Sequence, residues 1–383
     1  MKSFEIKTKI YFGEGALKRL KELSYKKALI ITDPFVVQSK MINHITEPLQ
    51  SVGIQYDIFK EVVPDPPIDK TSEGVKKMLE YKPDVIIAVG GGSAIDSSKS
   101  IREFALKIDN YSEVALIAIP TTSGTGSEVT SFAVISDREA GTKFPLKSDS
   151  LTPEEAILDA ELVKSVPPAI TADTGMDVFT HALESCVSTE RNEFATALAE
   201  KAIEICGVFL LRAYLDGNDM HARQKMHVAS CLAGLAFNST SLGLNHAMAH
   251  QLGATFHIPH GRANAILLPH VIEFNSNINK HSKSSKEYLP AVKKYSTVAQ
   301  ILGLSNYNKV MTVRSLVNWV QFMLKEMDIP LSVSQMGTIT EEEYMSKVEE
   351  MAEAALRDGC TATNPRVPTK ADVIQIYKNL WQQ

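Results

Sequence analysis

Asp84-Val-Ile-Ile-Ala-Val-Gly-Gly-Gly-Ser93 decides how the first half of this chain is read. An unbroken apolar run from Val85 to Val89, mostly β-branched, suits a strand buried on both faces. It passes directly into three glycines, after which Ala94 to Lys107 carries a helical pattern. In a strand, glycine turn and helix in that order, the backbone can approach a phosphate closely, and the free N–H groups and positive end of the helix favour the anion. The wording is neither G-x-G-x-x-G nor a Walker sequence, and a glycine turn of this kind binds nothing about as often as it binds a phosphate.

Reading outward, Ala28-Leu-Ile-Ile-Thr-Asp33 is a strand ending in an acid. A helical stretch near Val36 to Val52, a strand at Ile54 to Phe59, the break Pro64-Asp-Pro-Pro67 and a helix from Ile68 to Tyr81 follow. Beyond the glycine turn, the strand Leu116-Ile-Ala-Ile119 ends in Pro120-Thr-Thr-Ser-Gly-Thr-Gly-Ser-Glu128, a run too polar for a core. Alternating strands and helices predict a parallel sheet with helices on both faces. Both polar loops sit at carboxyl ends of strands, where such sheets bind ligands, and together they point to a dinucleotide. Asp33 can accept hydrogen bonds from ribose hydroxyls and would repel a 2′-phosphate, which favours NAD over NADP.

After Pro167-Pro168 the pattern becomes amphipathic and helical to the end, giving an α/β domain over 1–166 and an all-α domain over 167–383. The expected helices are Thr171 to Val187, Asn192 to Leu215, Met220 to Phe237, Leu244 to Phe256, Tyr288 to Leu302, Lys309 to Glu326, Glu341 to Asp358 and Lys370 to Trp381. Asn275 to Lys286 reads as a polar surface segment. Asp177 and His181 stand one helical turn apart and share a face. Asn245 to Arg262 holds four of the ten histidines in eighteen residues. His246 and His250 share a helix face by spacing, while His260, between Pro259 and Gly261, marks the end of that helix or the loop after it. One carboxylate with two or three imidazoles suits Fe²⁺ or Zn²⁺. Singly, each histidine is as readily a buried core residue, and Asp177 with His181 as readily an intrahelical hydrogen bond.

Composition excludes other classes. Net charge is −5, with 44% hydrophobic and 22% charged residues and dispersed Lys and Arg, so nothing argues for a nucleic acid or membrane surface as partner. Met1-Lys-Ser-Phe-Glu-Ile6 lacks the apolar core of a signal peptide, and no apolar run reaches ~18 residues, so a cytoplasmic location is expected. Cys186, Cys206, Cys231 and Cys360 form no C-x-x-C and are expected as buried small hydrophobes.

Gly90-Gly-Gly-Ser-Ala-Ile-Asp96, Pro120 to Glu128, Thr174-Gly-Met-Asp-Val-Phe-Thr-His181 and His246-Ala-Met-Ala-His-Gln-Leu-Gly with His257-Ile-Pro-His-Gly261 resemble, in order, the signature blocks of the iron-containing (group III) alcohol dehydrogenases. The resemblance runs to Cys360-Thr-Ala-Thr-Asn-Pro-Arg366. It implies a dehydroquinate synthase-like fold and metal ligands at Asp177, His181, His246 and His260. His250 would lie near the substrate as the catalytic or proton-relay residue. Asp33 would hold the adenosine ribose; Gly91, Gly92, Ser93 and Asp96 the pyrophosphate; and Thr121, Thr122, Thr130, Lys143 and Leu162 would line the rest of the NAD groove. The chain departs from the family at Asp65, where Asn is usual. The reaction implied is reversible hydride transfer between NAD(H) and a short-chain primary alcohol or aldehyde with Fe²⁺, or Zn²⁺, as metal. The wording around Gly243 to Asn264 is most like the enzymes that reduce propanal or acetaldehyde in propanediol or ethanolamine utilisation, as homo-oligomers often associated with bacterial microcompartments. Lactaldehyde and 1,3-propanediol dehydrogenases are the nearest competitors. Lyase chemistry on a phosphorylated sugar acid, as in dehydroquinate synthase, would need several Lys and Arg in the cleft, and the metal-site helices are short of both apart from Arg262.

Overall fold

A computed structural model describes residues 3–108, 113–137, 142–278, 290–304 and 307–382. The chain divides into two compact units, Met1–Val166 with Arg223–Asn238, and Pro167–Ala222 with Ser239–Gln383.

In the first unit, β1 (Lys9–Phe12), β2 (Lys27–Thr32), β3 (Gln55–Phe59), β4 (Val85–Gly90), β5 (Ala115–Pro120) and β8 (Glu155–Leu158) form a parallel sheet in the order β1-β8-β5-β4-β2-β3. A separate antiparallel hairpin pairs β6 (Phe132–Asp137) with β7 (Thr142–Lys147). The central strands are buried on both faces, and their alternation feeds two cores. Ile30, Val85, Ile87 and Val89 pack with Val36, Ile45 and Leu49 from helices α1 (Pro34–Gln38) and α2 (Asn43–Ser51). Leu29, Ile31, Ile86 and Ala88 pack with Val75, Met78, Ile95 and Ile101 from α3 (Ile68–Tyr81) and α4 (Gly92–Ile108) on the other face. The chain leaves β2 towards one side of the sheet and β4 towards the other, so the strand order reverses between them, the place where such sheets open a ligand crevice.

The single helix expected over Val36 to Val52 is two, because Lys40 takes a left-handed conformation (φ 63°) between α1 and α2. Strands β1 and β8 and the hairpin are not among the expected elements; β1 and β8 span four residues each, too short to show a clear alternation.

The second unit is built on α5 (Pro168–Val187), whose residues from Met176 to Val187 are all buried. Around it stand α6 (Glu193–Leu215), α8 (Leu244–Phe256), α9 (His260–Ser276), α10 (Pro290–Ile301), α11 (Lys309–Glu326), α12 (Glu341–Arg357) and α13 (Lys370–Trp381); α7 (Met220–Thr240) contributes only its ends to this unit. Helix α9 was not expected. It corrects the polar surface segment too, since Asn275 and Ser276 close α9 and are buried, while residues 279–289 lie outside those described. Cys186, Cys206 and Cys231 are buried, whereas Cys360 is only half-buried. Among the described residues no helix is long and apolar enough to cross a membrane.

Candidate metal centre and nucleotide loops

Helix α5 is so enclosed that Asp177 and His181, one turn apart, face a shared interior point. His181 Nε2 is 4.0 Å from Asp177 Oδ2, His246 Nε2 3.6 Å and His260 Nε2 3.5 Å from Asp177 Oδ1. Ligand atoms of all four residues lie within 4.8 Å of one another. A tetrahedral ion with bonds of ~2.0–2.2 Å spaces its ligands by roughly 3.3–3.6 Å, close to these separations.

The ligand orientations are built in. Glu184, seven residues after Asp177 on the same face of α5, sets Oε2 2.6 Å from His246 Nδ1 and accepts the Asn245 N–H at 2.8 Å through Oε1. That contact turns His246 Nε2 inward, where it is buried with no hydrogen-bond partner. Asn264 donates to Asp177 Oδ1 at 2.7 Å, also lies 3.1 Å from His260 Nε2, and is itself held by Asn245. Burial alone would raise the Asp177 carboxyl, but His181, His260 and His246 around it hold it well below the usual carboxylate range. Burial disfavours charge on His246, yet Glu184 and Asp177 push it up to about 9. Two buried carboxylates among three imidazoles thus draw positive charge inward, and the inward Nε2, buried with no hydrogen-bond partner, is the nitrogen that would ligate a metal once unprotonated. The residues fit Fe²⁺ or Zn²⁺.

His260 neither ends α8 nor lies in a loop after it, the two places its spacing suggests. It is the first residue of α9, behind Pro259. His257 caps the end of α8 in a left-handed conformation (φ 55°), and α9 begins three residues later. Helix α9 then starts against α5: a Cβ on Gly261 would come within 2.2 Å of the Asp173 carbonyl oxygen, and Arg262 grips the Asp173 carboxylate at 3.1 Å. His250, which spacing pairs with His246, points elsewhere. Its Nδ1 is 2.8 Å from Asp358 Oδ2, and its ring stacks on His260 with centroids 5.5 Å apart. Glu184 was legible at helical spacing from Asp177; Asp358, 108 residues from His250, left no signal in the sequence.

In the first unit, three strand ends supply the expected nucleotide residues. Gly90 (φ 150°) cannot carry a Cβ, which would meet Ala94 Cβ at 2.6 Å and Asp33 Oδ2 at 3.3 Å. The Gly92 position abuts Thr125 and Gly91 abuts Thr122, while Thr121 N donates to Gly90 O at 3.0 Å, so the two loops are in contact. Ser93, half-buried, sits in the first turn of α4. Asp33 ends β2 and caps α1 through Val36 N. Asp96 takes the Ser127 hydroxyl at 2.6 Å and the Val134 N–H at 3.0 Å, tying the second loop to β6. Thr130 is held by the buried Lys99 ammonium at 2.8 Å from its carbonyl oxygen. Leu162 is fully buried in the core beneath α1 and α2. Lys143 lies in β7, and its side chain is outside the described residues. Asp65 is left-handed (φ 50°), a conformation Asn and Asp both tolerate, so the departure from the usual Asn fits the backbone. Behind the loop, Gly126 and Gly234 of α7 touch so closely that a Cβ on either would lie 2.6–2.7 Å from the other's backbone. His227 Nδ1 stands 2.9 Å from Ser123 Oγ, and burial pulls that imidazole down to about 4.

Residues 7–160 match the family model described as iron-containing alcohol dehydrogenase, and residues 171–381 that of the Fe-containing alcohol dehydrogenase family, C-terminal. The chain is 42% identical to the 1-propanol dehydrogenase PduQ of Citrobacter freundii, over 99% of this chain and 100% of that one. It is 38% identical to an NADPH-dependent butanol dehydrogenase of Clostridium saccharobutylicum, over 99% and 97%. A solved 1,3-propanediol oxidoreductase shares 31% identity and superposes over both whole chains with a TM-score of 0.90. The sulfoacetaldehyde reductase of Bifidobacterium kashiwanohense, solved in complex with NAD⁺, shares 26% identity with a TM-score of 0.86 over 99% and 98% of the two chains.

Proposed function

This chain belongs to the iron-containing alcohol dehydrogenase family, and on that footing we propose that it interconverts propanal and 1-propanol. It is a metal-dependent alcohol dehydrogenase that exchanges a hydride between NAD(H) and a short-chain alcohol or aldehyde, with Fe²⁺ as metal. Propanal is favoured because identity to the 1-propanol dehydrogenases, 42% and 41% across nearly whole chains, exceeds the 31% to the 1,3-propanediol oxidoreductase.

The observation that carries the reading is the convergence of Asp177, His181, His246 and His260 on one point, the first three buried and His260 exposed. These four would hold the metal, with Glu184 fixing the His246 tautomer. Asp33, Gly91, Gly92, Ser93, Thr121 and Thr122 would bind the dinucleotide, Asp96 and Thr130 setting the loop beside it, with Lys143 and the Leu162 backbone completing the groove. When bound, the metal supplies a Lewis acid at the substrate oxygen and the nicotinamide the hydride acceptor or donor. His250 moves the hydroxyl proton: with Nδ1–H donated to Asp358, Nε2 is the nitrogen left to accept it. One relative is named for NADPH, but here the Asp33 carboxylate beside the glycine turn favours NAD. The lyase alternative gains nothing, since Arg262 is committed to Asp173. We place the enzyme in the cytoplasm, as a homodimer or larger homo-oligomer associated with microcompartment components.

NADH consumption with propanal, acetaldehyde, lactaldehyde and 3-hydroxypropanal, on iron- and zinc-loaded protein, tests the reading. Propanal should give the highest kcat/KM on the iron form. No turnover of any short aldehyde by metal-loaded protein would overturn it.

A further inference from the structure

We propose that His250, Asp358 and Cys360 form a second divalent-metal site, of zinc character, beside the centre built on Asp177. Their ligand atoms all lie within 4.8 Å of one another, and all three residues are half-buried. The arrangement is fixed by the turn after α12. Asp358 accepts the Cys360 N–H at 2.9 Å through Oδ1 and faces His250 Nδ1 with Oδ2 at 2.8 Å, so the turn carries carboxylate and thiol to one side of the imidazole. Thr363 anchors the turn from below through the Leu242 carbonyl at 2.5 Å.

The donor set is an imidazole nitrogen, a carboxylate oxygen and a thiolate sulfur. A thiolate selects zinc-like ions over Mg²⁺ or Ca²⁺, and three protein ligands leave a fourth position for water. The thiol proton leaves to solvent on binding, so affinity rises with pH. His250 rings lie 6.2 Å from His246 and 5.5 Å from His260, centroid to centroid, so the second ion sits close to the first. Two anionic donors neutralise it, whereas the first centre contributes one carboxylate. The first centre offers four ligands and the second three, so the second is the weaker of the two, and repulsion from the first ion leaves it filled only when metal is in excess. An ion there ties up His250 Nδ1 and Asp358, so excess Zn²⁺ inhibits; that consequence, unlike the binding, rests on the proton role given to His250 above.

The test is an anaerobic titration of the iron-loaded enzyme with Co²⁺. The first centre has no sulfur, and Cys186, Cys206 and Cys231 are buried, so a near-ultraviolet sulfur-to-cobalt charge-transfer band reports Cys360 alone. The expected result is one equivalent bound with that band, abolished in both Cys360→Ser and Cys360→Ala while iron content stays stoichiometric. No band in the wild type, or a band that survives both substitutions, would overturn the site. In parallel, Zn²⁺ should inhibit the wild type at a concentration at least ~10-fold lower than Cys360→Ser. Cobalt bound with its band but Zn²⁺ without effect would support the site and refute the proton role of His250.

Discussion

Glu184 Oε2 lies 2.6 Å from His246 Nδ1, and both groups are buried, so one carboxylate decides which imidazole nitrogen faces the proposed metal centre. Glu184→Gln keeps the shape but not the pairing. If its carbonyl still accepts the Asn245 N–H, its amide must donate to His246 Nδ1, which puts the proton on Nε2 and blocks the ligand position. Metal affinity should fall by roughly 10–100-fold, read by competition with a chromogenic chelator, with the fold intact by circular dichroism. Unchanged affinity would show that Glu184 does not set the tautomer.

Gly261 sits where α9 meets α5. Alanine in a helix normally adds up to ~1 kcal/mol over glycine, yet here its Cβ would press on the Asp173 carbonyl from 2.2 Å. Gly261→Ala should therefore destabilise by about 1–3 kcal/mol and lower metal occupancy, because His260 moves with the helix start. Urea unfolding and metal analysis read both; a stabilised, fully loaded variant would refute the account.

Much of this architecture was legible because its signals are local. The β4 run, the glycine turn and the Asp177–His181 spacing each lie within one element, and periodicity or a single steric demand writes them into the sequence. His250 shows where that stops: spacing gave it the same face of α8 as His246, and only the turn carrying Asp358, brought in from far along the chain, turns its ring elsewhere. Helix α9 went unread because Pro259, Gly261 and Pro269 resemble loop punctuation, whereas Pro259 precedes the helix, Gly261 allows close packing and Pro269 lies within it.

His250→Ala should lower kcat by on the order of 10²-fold or more, the usual contribution of a proton-transfer group, while bound metal stays near stoichiometric. Asp358→Asn should give a smaller loss at unchanged metal content, since the amide still meets the ring but no longer holds it as an acceptor-only partner. Loss of the iron in His250→Ala would make His250 a ligand of the centre built on Asp177 and refute its assignment as the proton carrier.

Burial holds His227 at about 4 in the folded protein against ~6.5 when unfolded. The unfolded chain therefore binds the proton first, and stability falls as pH drops from 6.5 towards 4, by about 3 kcal/mol over the full window. His227→Asn keeps a partner for Ser123 Oγ in the place of Nδ1 and removes this titration. His270, pulled down to about 4 by burial, and Glu128, pushed up to about 7 by it, titrate in both proteins and cancel from the difference. The expected result is a shallower stability slope between pH 6.5 and 4.5 for the variant in urea unfolding; parallel slopes would mean that His227 is not held neutral.

Asp33 has two duties that one substitution can separate. Its carboxylate caps α1 through Val36 N at 3.1 Å, and it also stands beside the Gly90 turn, where the adenosine ribose is proposed to lie. Alanine would remove both functions and confuse a lost cap, worth about 1 kcal/mol, with lost recognition. Serine caps comparably but carries no charge. Asp33→Ser should therefore keep its thermal stability. It should raise KM for NAD⁺ by roughly 10–100-fold, as a charge-assisted hydrogen bond worth ~1.5–3 kcal/mol is lost. It should also improve kcat/KM for NADP⁺, because the 2′-phosphate no longer meets a fixed negative charge. If the ratio of the two coenzymes' kcat/KM values does not move, Asp33 does not select the coenzyme and its place at the end of β2 serves the helix alone.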